Sequence, residues 1–187
     1  MYQEKAKVLY NRRIGPVYYR IGLTCHLGYK DARPGQFVML RFPGQITPFL
    51  RRPFSIHRLI SDNDQPTGIE LLYKVVGEGT KILSMVQPND IVDILGPLGN
   101  GFDFSHEYKT VYIVAGGIGV APLVFLAEYL LENGVDRAKC EVFLGGRSKN
   151  DLICRDEFVD IGMKLQVTTD DGSEGDQCFI THPLEIA

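Results

Sequence analysis

Arginine, proline, phenylalanine and serine occupy four consecutive places at Arg52-Pro53-Phe54-Ser55, with the apolar Ile56 after them. These residue types suit a flat, phosphorylated ligand. A guanidinium matches a pyrophosphate because its planar fork donates bidentately and never loses its charge. An aromatic two residues on can lie against a ring, and a hydroxyl can donate to a ring nitrogen. In a strand, alternation sends Arg52 and Phe54 to one face and Pro53 and Ser55 to the other, and the backbone between them is free to bond along a ligand's edge. Read alone, the same four residues also make a basic edge strand in which Pro53 blocks sheet extension.

Two glycine turns carry the remaining candidates. Gly116-Gly117-Ile118-Gly119-Val120-Ala121-Pro122 holds two of the three glycines of the dinucleotide fingerprint, Gly117 and Gly119, with Pro122 in place of the third. Between a strand and a helix, such a turn lets backbone amides approach a pyrophosphate at the helix N-terminus. The alternative is a tight turn that needs positive φ and binds nothing. Gly77-Glu78-Gly79-Thr80 again puts glycines and a capping threonine at a helix start. Two anion seats and Arg52 in one chain favour ligand binding over three unrelated turns. At the end of the second strand of such a fold, where an acidic residue usually holds a ribose, Arg147-Ser148 stands. Arg147 suits a 2′-phosphate or a solvated loop, so NADH against NADPH stays open.

These residues must be positioned by two kinds of structure. Residues 2–60 read as β-structure: 5–10 and 18–23 are runs of β-formers broken at Arg13-Ile14-Gly15-Pro16, and a turn at 32–36 leads into a strand over 37–42 that ends at Pro43-Gly44. The polar stretch 61–68 reads as the solvent loop of a hairpin, from which a strand over 69–75 returns. Thr80 is the expected N-cap of a short helix over 81–86, and a strand over 91–95 runs into Gly96-Pro97-Leu98-Gly99-Asn100-Gly101-Phe102. Six or so short strands and one helix predict a small antiparallel barrel over residues 1–104.

After a boundary at Ser105-His106-Glu107 the grammar changes. An apolar strand over 110–115, the glycine turn, and a helix over about 122–132 stopped by Asn133-Gly134 come first. A buried strand over 140–144, a helix over 151–159 and a strand over 165–169 follow. This alternation predicts a doubly wound, parallel nucleotide-binding sheet over residues 108–187. About three strands can be counted where that fold usually has five or six, so the sheet reads as partial.

Composition narrows the function classes. Apolar content of 44% with 23% charged is that of an ordinary globular chain. A formal charge of −3 gives no electrostatic case for nucleic acid or an anionic membrane, and the apolar runs are too short to span a bilayer. Cys25, Cys140, Cys154 and Cys178 form no CxxC pair, so no metal site is expected in this chain. With no signal-peptide pattern, the reading is a reduced, cytoplasmic protein. His26, His57, His106 and His182 are scattered without ligand spacing, and no Ser-His-Asp, Cys-His or paired-carboxylate set stands out. No catalytic side chain is therefore assigned: the chain binds and orients, and a cofactor supplies the reaction.

The order of these motifs resembles the ferredoxin–NADP reductase superfamily. Arg52-Pro53-Phe54-Ser55 is similar to its Arg-x-aromatic-Ser/Thr flavin motif, and Leu72-Tyr73-Lys74-Val75 with Gly79-Thr80 to its next flavin segment. Residues 96–102 resemble its barrel exit and 114–122 its nicotinamide-nucleotide turn. Within the superfamily the combination looks most like the electron-transfer subunits of heteromeric dihydroorotate dehydrogenases, over nearly the whole chain. The resemblance implies that Arg52 pairs with the FAD pyrophosphate and that Phe54 and Ser55 lie along the isoalloxazine, with Ser55 near its reactive nitrogen and Pro53 also among the FAD-binding residues. It implies that the backbone of Leu72, Tyr73 and Lys74, with Gly79 and Thr80, completes the FAD site. Gly116, Gly117 and Gly119 would receive NAD(H). Members of that family take a hydride from NADH onto FAD and pass single electrons through a [2Fe–2S] cluster. A partner catalytic subunit, which carries FMN, oxidises dihydroorotate to orotate.

In that family a C-terminal run of four cysteines holds the cluster, and Thr181-His182-Pro183-Leu184-Glu185-Ile186-Ala187 offers none. Cys140, Cys154 and Cys178 match no cluster spacing. The chain reads as a fragment or a truncated homologue whose incomplete sheet edge favours association, a homodimer included. Three functions follow from these readings. The first is a flavoprotein electron-transfer subunit between NADH and a dehydrogenase partner of pyrimidine biosynthesis. The second is a stand-alone NAD(P)H-dependent flavin or acceptor reductase, and the third a non-catalytic assembly module that has lost its cofactors. The intact Arg52 to Ser55 motif argues against the third.

Overall fold

The computed structural model describes residues 1–42, 50–63, 65–104 and 108–187. The chain divides into two units, Met1–Phe102 and Asp103–Ala187. The boundary expected at Ser105-His106-Glu107 and the strand end expected at Pro43-Gly44 lie outside the described residues.

In the first unit, apolar residues alternating with polar ones build six strands: β1 (Tyr2–Arg13), β2 (Tyr18–Thr24), β3 (Phe37–Arg41), β4 (Arg52–Asp62), β5 (Gln65–Lys74) and β6 (Ile91–Leu98). They close into an antiparallel barrel in the order β1-β2-β5-β4-β3-β6. Val8, Ile21, Leu40, Ile56, Leu71 and Ile94, one from each strand, are all buried, and their removal from water is what draws the sheet closed. A short helix, α1 (Glu78–Leu83), joins β5 to β6. Asn11 of β1 anchors its end by donating from Nδ2 to the carbonyls of Leu83 and Val86 at 2.8 and 3.1 Å.

Two expectations for this unit give way. The stretch 61–68 is not a solvent loop but a continuing ladder, with Ser61 opposite Pro66 and Asp62 opposite Gln65. Asn63 turns in the left-handed region (φ 49°), which an asparagine tolerates, so polar residues extend both strands as a ribbon. Helix α1 also starts earlier than expected. Gly77 stands at its N-cap, and Thr80 lies inside the first turn, reaching back so that its Oγ accepts from the amides of Val76 and Gly77 at 2.9 and 3.2 Å. The threonine still satisfies amides at the helix start, but from the third helical position and not from the N-cap expected for it.

The second unit is a parallel sheet in the order β7-β8-β9, formed by β7 (Val111–Gly116), β8 (Cys140–Gly146) and β9 (Lys164–Thr169). Helices α2 (Ala121–Glu132) and α3 (Arg155–Ile161) make the crossovers. Right-handed connections put both helices on one face, onto which the buried Ile113, Ala115, Val142 and Leu144 alternate. The helix expected over 151–159 starts later because Leu152 and Ile153 are drawn inward and Cys154 takes a left-handed turn (φ 65°) before it. On the other face runs a short helix not expected from the sequence, α4 (Thr181–Ile186). Ile180 before it packs on Gly145, where an added Cβ would lie 2.9 Å away, and Tyr112 Oη donates to the Ala187 carbonyl at 3.0 Å. No helix among the described residues is long and apolar enough to cross a membrane.

Candidate functional site

The strands β4 and β5 part company along their length. Arg52 to Ser55 pair with β3, but the ladder between β4 and β5 begins only at Ile56 opposite Leu71. Beyond that point Leu72, Tyr73 and Lys74 pair with β2 alone. Among the described residues, two segments far apart in sequence therefore present open backbone edges on either side of one gap. Backbone donors and acceptors left without a ladder take their partners from solvent or from a ligand. Pro53 fits such a place, having no N–H to leave unpaired.

The side chains at the gap divide by role. Arg52 is exposed and makes no ion pair with any described residue, so its full charge is open to an anion. Pro53 is exposed and Ser55 half-buried. Phe54 shares the row of Arg52, as alternation requires, but that row faces inward opposite Val38, and the ring is only 8% exposed. It meets Tyr73 edge-on, centroids 6.0 Å apart, and so forms an apolar floor rather than an open stacking platform. Tyr73 stacks on Tyr19 at 5.5 Å. Burial pushes its phenol well above the usual range, and it stays a neutral donor, giving its proton to Asn11 Oδ1 at 3.0 Å. Leu72 is buried and can offer only backbone. Lys74 holds its ammonium over the Tyr18 ring at 5.0 Å. The Thr80 hydroxyl, which also donates to the Gly77 carbonyl at 3.0 Å, is fully used by its own turn. What Gly79 and Thr80 can give a ligand is backbone.

In the second unit, β7 ends at Gly116 and the chain turns through Gly117 (φ 50°, where a side chain would be strained) into α2, with Pro122 in its first turn. A Cβ added at Gly116 or Gly119 would meet nothing within 4 Å. Backbone there faces open space at the carboxyl end of a parallel strand, where ligands bind in sheets of this kind. The sequence reading missed the loop that follows β9. The amides of Asp170 and Asp171 donate to the carbonyls of Gly146 and Arg147, both at 3.1 Å, and Ser173 Oγ accepts from the Lys149 amide at 2.8 Å. This lacing ties the exits of β8 and β9 together. Hydrogen bonds from Ser173 hold the Asp171 carboxyl below its usual range. The run Asp170-Asp171-Gly172-Ser173, turn formers directly after a strand, was the available signal.

A groove of about 570 Å³ lies elsewhere, lined by Glu141, Lys164, Gln166, Cys178 and His182 among others. It opens beside the starting ends of β8 and β9, on the face carrying α4, and so away from the glycine turn. Burial alone would raise the Glu141 carboxyl, but Lys164 at 2.8 Å and Gln166 at 2.7 Å hold it below its ordinary value. All four cysteines are free, and the described residues gather no cluster of them. They do not supply the four thiolates that a [2Fe–2S] centre takes.

Comparison with known proteins agrees with the fold. Residues 113–177 match the family described as the oxidoreductase NAD-binding domain. The dihydroorotate dehydrogenase B (NAD(+)) electron transfer subunit of Desulforamulus reducens is 40% identical over 173 residues, which are 91% of this chain and 63% of that protein. The subunit of the same name from Geobacillus sp. is 37% identical over 183 residues, 97% of this chain and 68% of that one. The chain thus spans about two thirds of the length of the curated relatives it matches. Among solved structures, an NADH-dependent reduced ferredoxin–NADP oxidoreductase, studied for flavin-based electron bifurcation, superposes with a TM-score of 0.81 at 31% identity, over 97% of this chain and 62% of that one. A ferredoxin–NADP+ reductase from Neisseria gonorrhoeae with bound FAD and NADP shares the fold, with a TM-score of 0.79 at 17% identity over 98% of this chain and 76% of that one. On the strength of these relatives, the chain belongs to the electron transfer subunits of dihydroorotate dehydrogenase B, within the ferredoxin–NADP reductase superfamily.

Proposed function

We propose that residues 1–104 seat FAD and residues 108–187 receive a nicotinamide dinucleotide, so that the chain passes electrons between NADH and a partner dehydrogenase. The partner of this reading is the FMN-containing catalytic subunit that oxidises dihydroorotate, in the cytoplasm. The observation that carries it is the gap between β4 and β5. Two segments that resemble flavin motifs flank it with open backbone edges, and Arg52, a cation without an ion pair among the described residues, stands beside it. The residues fit the group. FAD, when bound, supplies the chemistry that joins a two-electron donor to single-electron carriers.

The chain's own residues do the rest. Arg52 neutralises the pyrophosphate, the backbone of Arg52 to Ser55 and of Leu72 to Lys74 bonds the polar rim, and the Ser55 hydroxyl donates near the reactive ring nitrogen. Phe54 and Tyr73 keep the floor dry. Gly116, Gly117 and Gly119 let the dinucleotide phosphates approach the backbone at the start of α2. No step is assigned to a [2Fe–2S] cluster. The outer edge of β7, which has no neighbour among the described residues, is where a second copy would pair in a homodimer.

The test is an equilibrium titration of FAD against the chain and its Arg52→Met variant. A charge-assisted hydrogen bond is worth about 1.5–3 kcal/mol, so the variant is expected to bind roughly ten- to a hundredfold more weakly. Equal affinity would remove Arg52 from the site.

A further inference from the structure

Arg51 and Arg52 are adjacent, yet only one of them is open to a ligand. Arg51 lies across the barrel's outer surface. It donates from Nη2 to Asp93 Oδ1 at 2.7 Å, and from Nη1 to the carbonyls of Asp93 and Met39 at 3.2 and 3.3 Å. These bonds run from the start of β4 over β3 to β6 and fix the guanidinium at both ends of its fork. Both partners are largely withdrawn from water, with 18% and 12% of their side chains exposed.

The need for such a brace follows from the gap. Arg52 to Ser55 are held by β3 on one side and by nothing in β5 on the other. A half-paired strand end frays unless something else fixes it. We infer that the Arg51–Asp93 pair is a positioning device for the FAD seat, holding the open edge and its neighbour Arg52 in the place where the pyrophosphate is met. Asp93 acts through Arg51 on the backbone that presents Arg52. The inference rests on the FAD reading proposed above and adds to it two residues that no motif contains.

The experiment measures FAD affinity and thermal unfolding for the full chain, Asp93→Asn, Arg52→Met and the double variant. Asp93→Asn keeps the shape and loses the charge. It is expected to weaken FAD binding about tenfold in the native background and less than about twofold when Arg52 is already Met, because both changes then act on one contact. A loss of the same size in both backgrounds would mean a general structural effect and would overturn the inference, as would unchanged affinity in Asp93→Asn. Should Asp93→Asn fold poorly, Arg51→Lys keeps the charge but cannot span Asp93 and Met39 together. A several-fold weaker FAD affinity at an unchanged unfolding midpoint supports the brace, and native affinity overturns it. Native affinity in Arg52→Met would instead overturn the FAD seat itself, an outcome distinct from failure of the brace.

Discussion

Gly119→Ala separates a functional glycine from a structural one. At this position an added Cβ meets no atom within 4 Å, and the backbone is outside the left-handed region. The substitution therefore costs the fold nothing and is expected to raise stability by about 0.5 kcal/mol, by narrowing the unfolded ensemble. The same methyl group occupies the space over the turn through which a dinucleotide would approach. An overpacked contact costs roughly 1–3 kcal/mol, so NADH-dependent reduction of the FAD-loaded chain is expected to slow about five- to a hundredfold at low NADH. Gly22→Ala is the contrast. Its Cβ would fall 2.5 Å from the Tyr10 ring, which crosses that glycine to donate to Glu70 at 2.6 Å, so this variant is expected to lose about 1–3 kcal/mol. Thermal unfolding and stopped-flow absorbance read both quantities on the same samples. Unchanged NADH kinetics in Gly119→Ala would refute the glycine turn as the nucleotide seat, and a lowered unfolding midpoint would refute its open geometry.

Further expectations follow from single groups. Thr80→Val removes the hydroxyl that closes the turn before α1 and is expected to cost about 1 kcal/mol in chemical denaturation, with no loss being the contrary result. Burial, and secondarily Glu4, push the Cys25 thiol up to about 11 from its ordinary 9.0. The protonated form is the one the fold favours, so its contribution is complete below 9.0 and fades as pH rises through about 11. Alkylation of Cys25 followed by mass spectrometry should show that late midpoint; one near 9 would contradict it. The Glu141 carboxyl is depressed, so its contribution stands above its ordinary 4.5 and is lost as pH falls below that value. Glu141→Gln is expected to flatten the acid limb of stability against pH, and an unaltered limb would count against the Lys164 and Gln166 contacts.

The architecture was legible because periodicity carries it. Alternating runs with turn residues foretold the barrel, and near-continuous apolar strands separated by helices foretold the parallel sheet. The hairpin over 61–68 was misread since polarity signals exposure, and an exposed ladder is as polar as a loop. Helix α4 was missed because six residues carry no usable period and its place depends on Ile180 meeting Gly145. For the proposed site, Arg52, Ser55 and the glycines were singled out from residue type and spacing. Alternation put Phe54 with Arg52 but could not say that this row faces inward, which depends on closure of the barrel. Nor could it tell Arg51 from Arg52. Their different fates are set by Asp93, some forty positions away, and only register brings that carboxylate within reach.

The central claim is that this chain takes electrons from a nicotinamide dinucleotide onto a flavin seated between β4 and β5. The most direct measurement is the visible absorption spectrum of the purified chain after incubation with FAD and removal of the excess, recorded before and after anaerobic NADH. A retained flavin spectrum that bleaches on NADH addition is the expected result. A chain that stays colourless after FAD, or a bound flavin that NADH leaves oxidised, would contradict it.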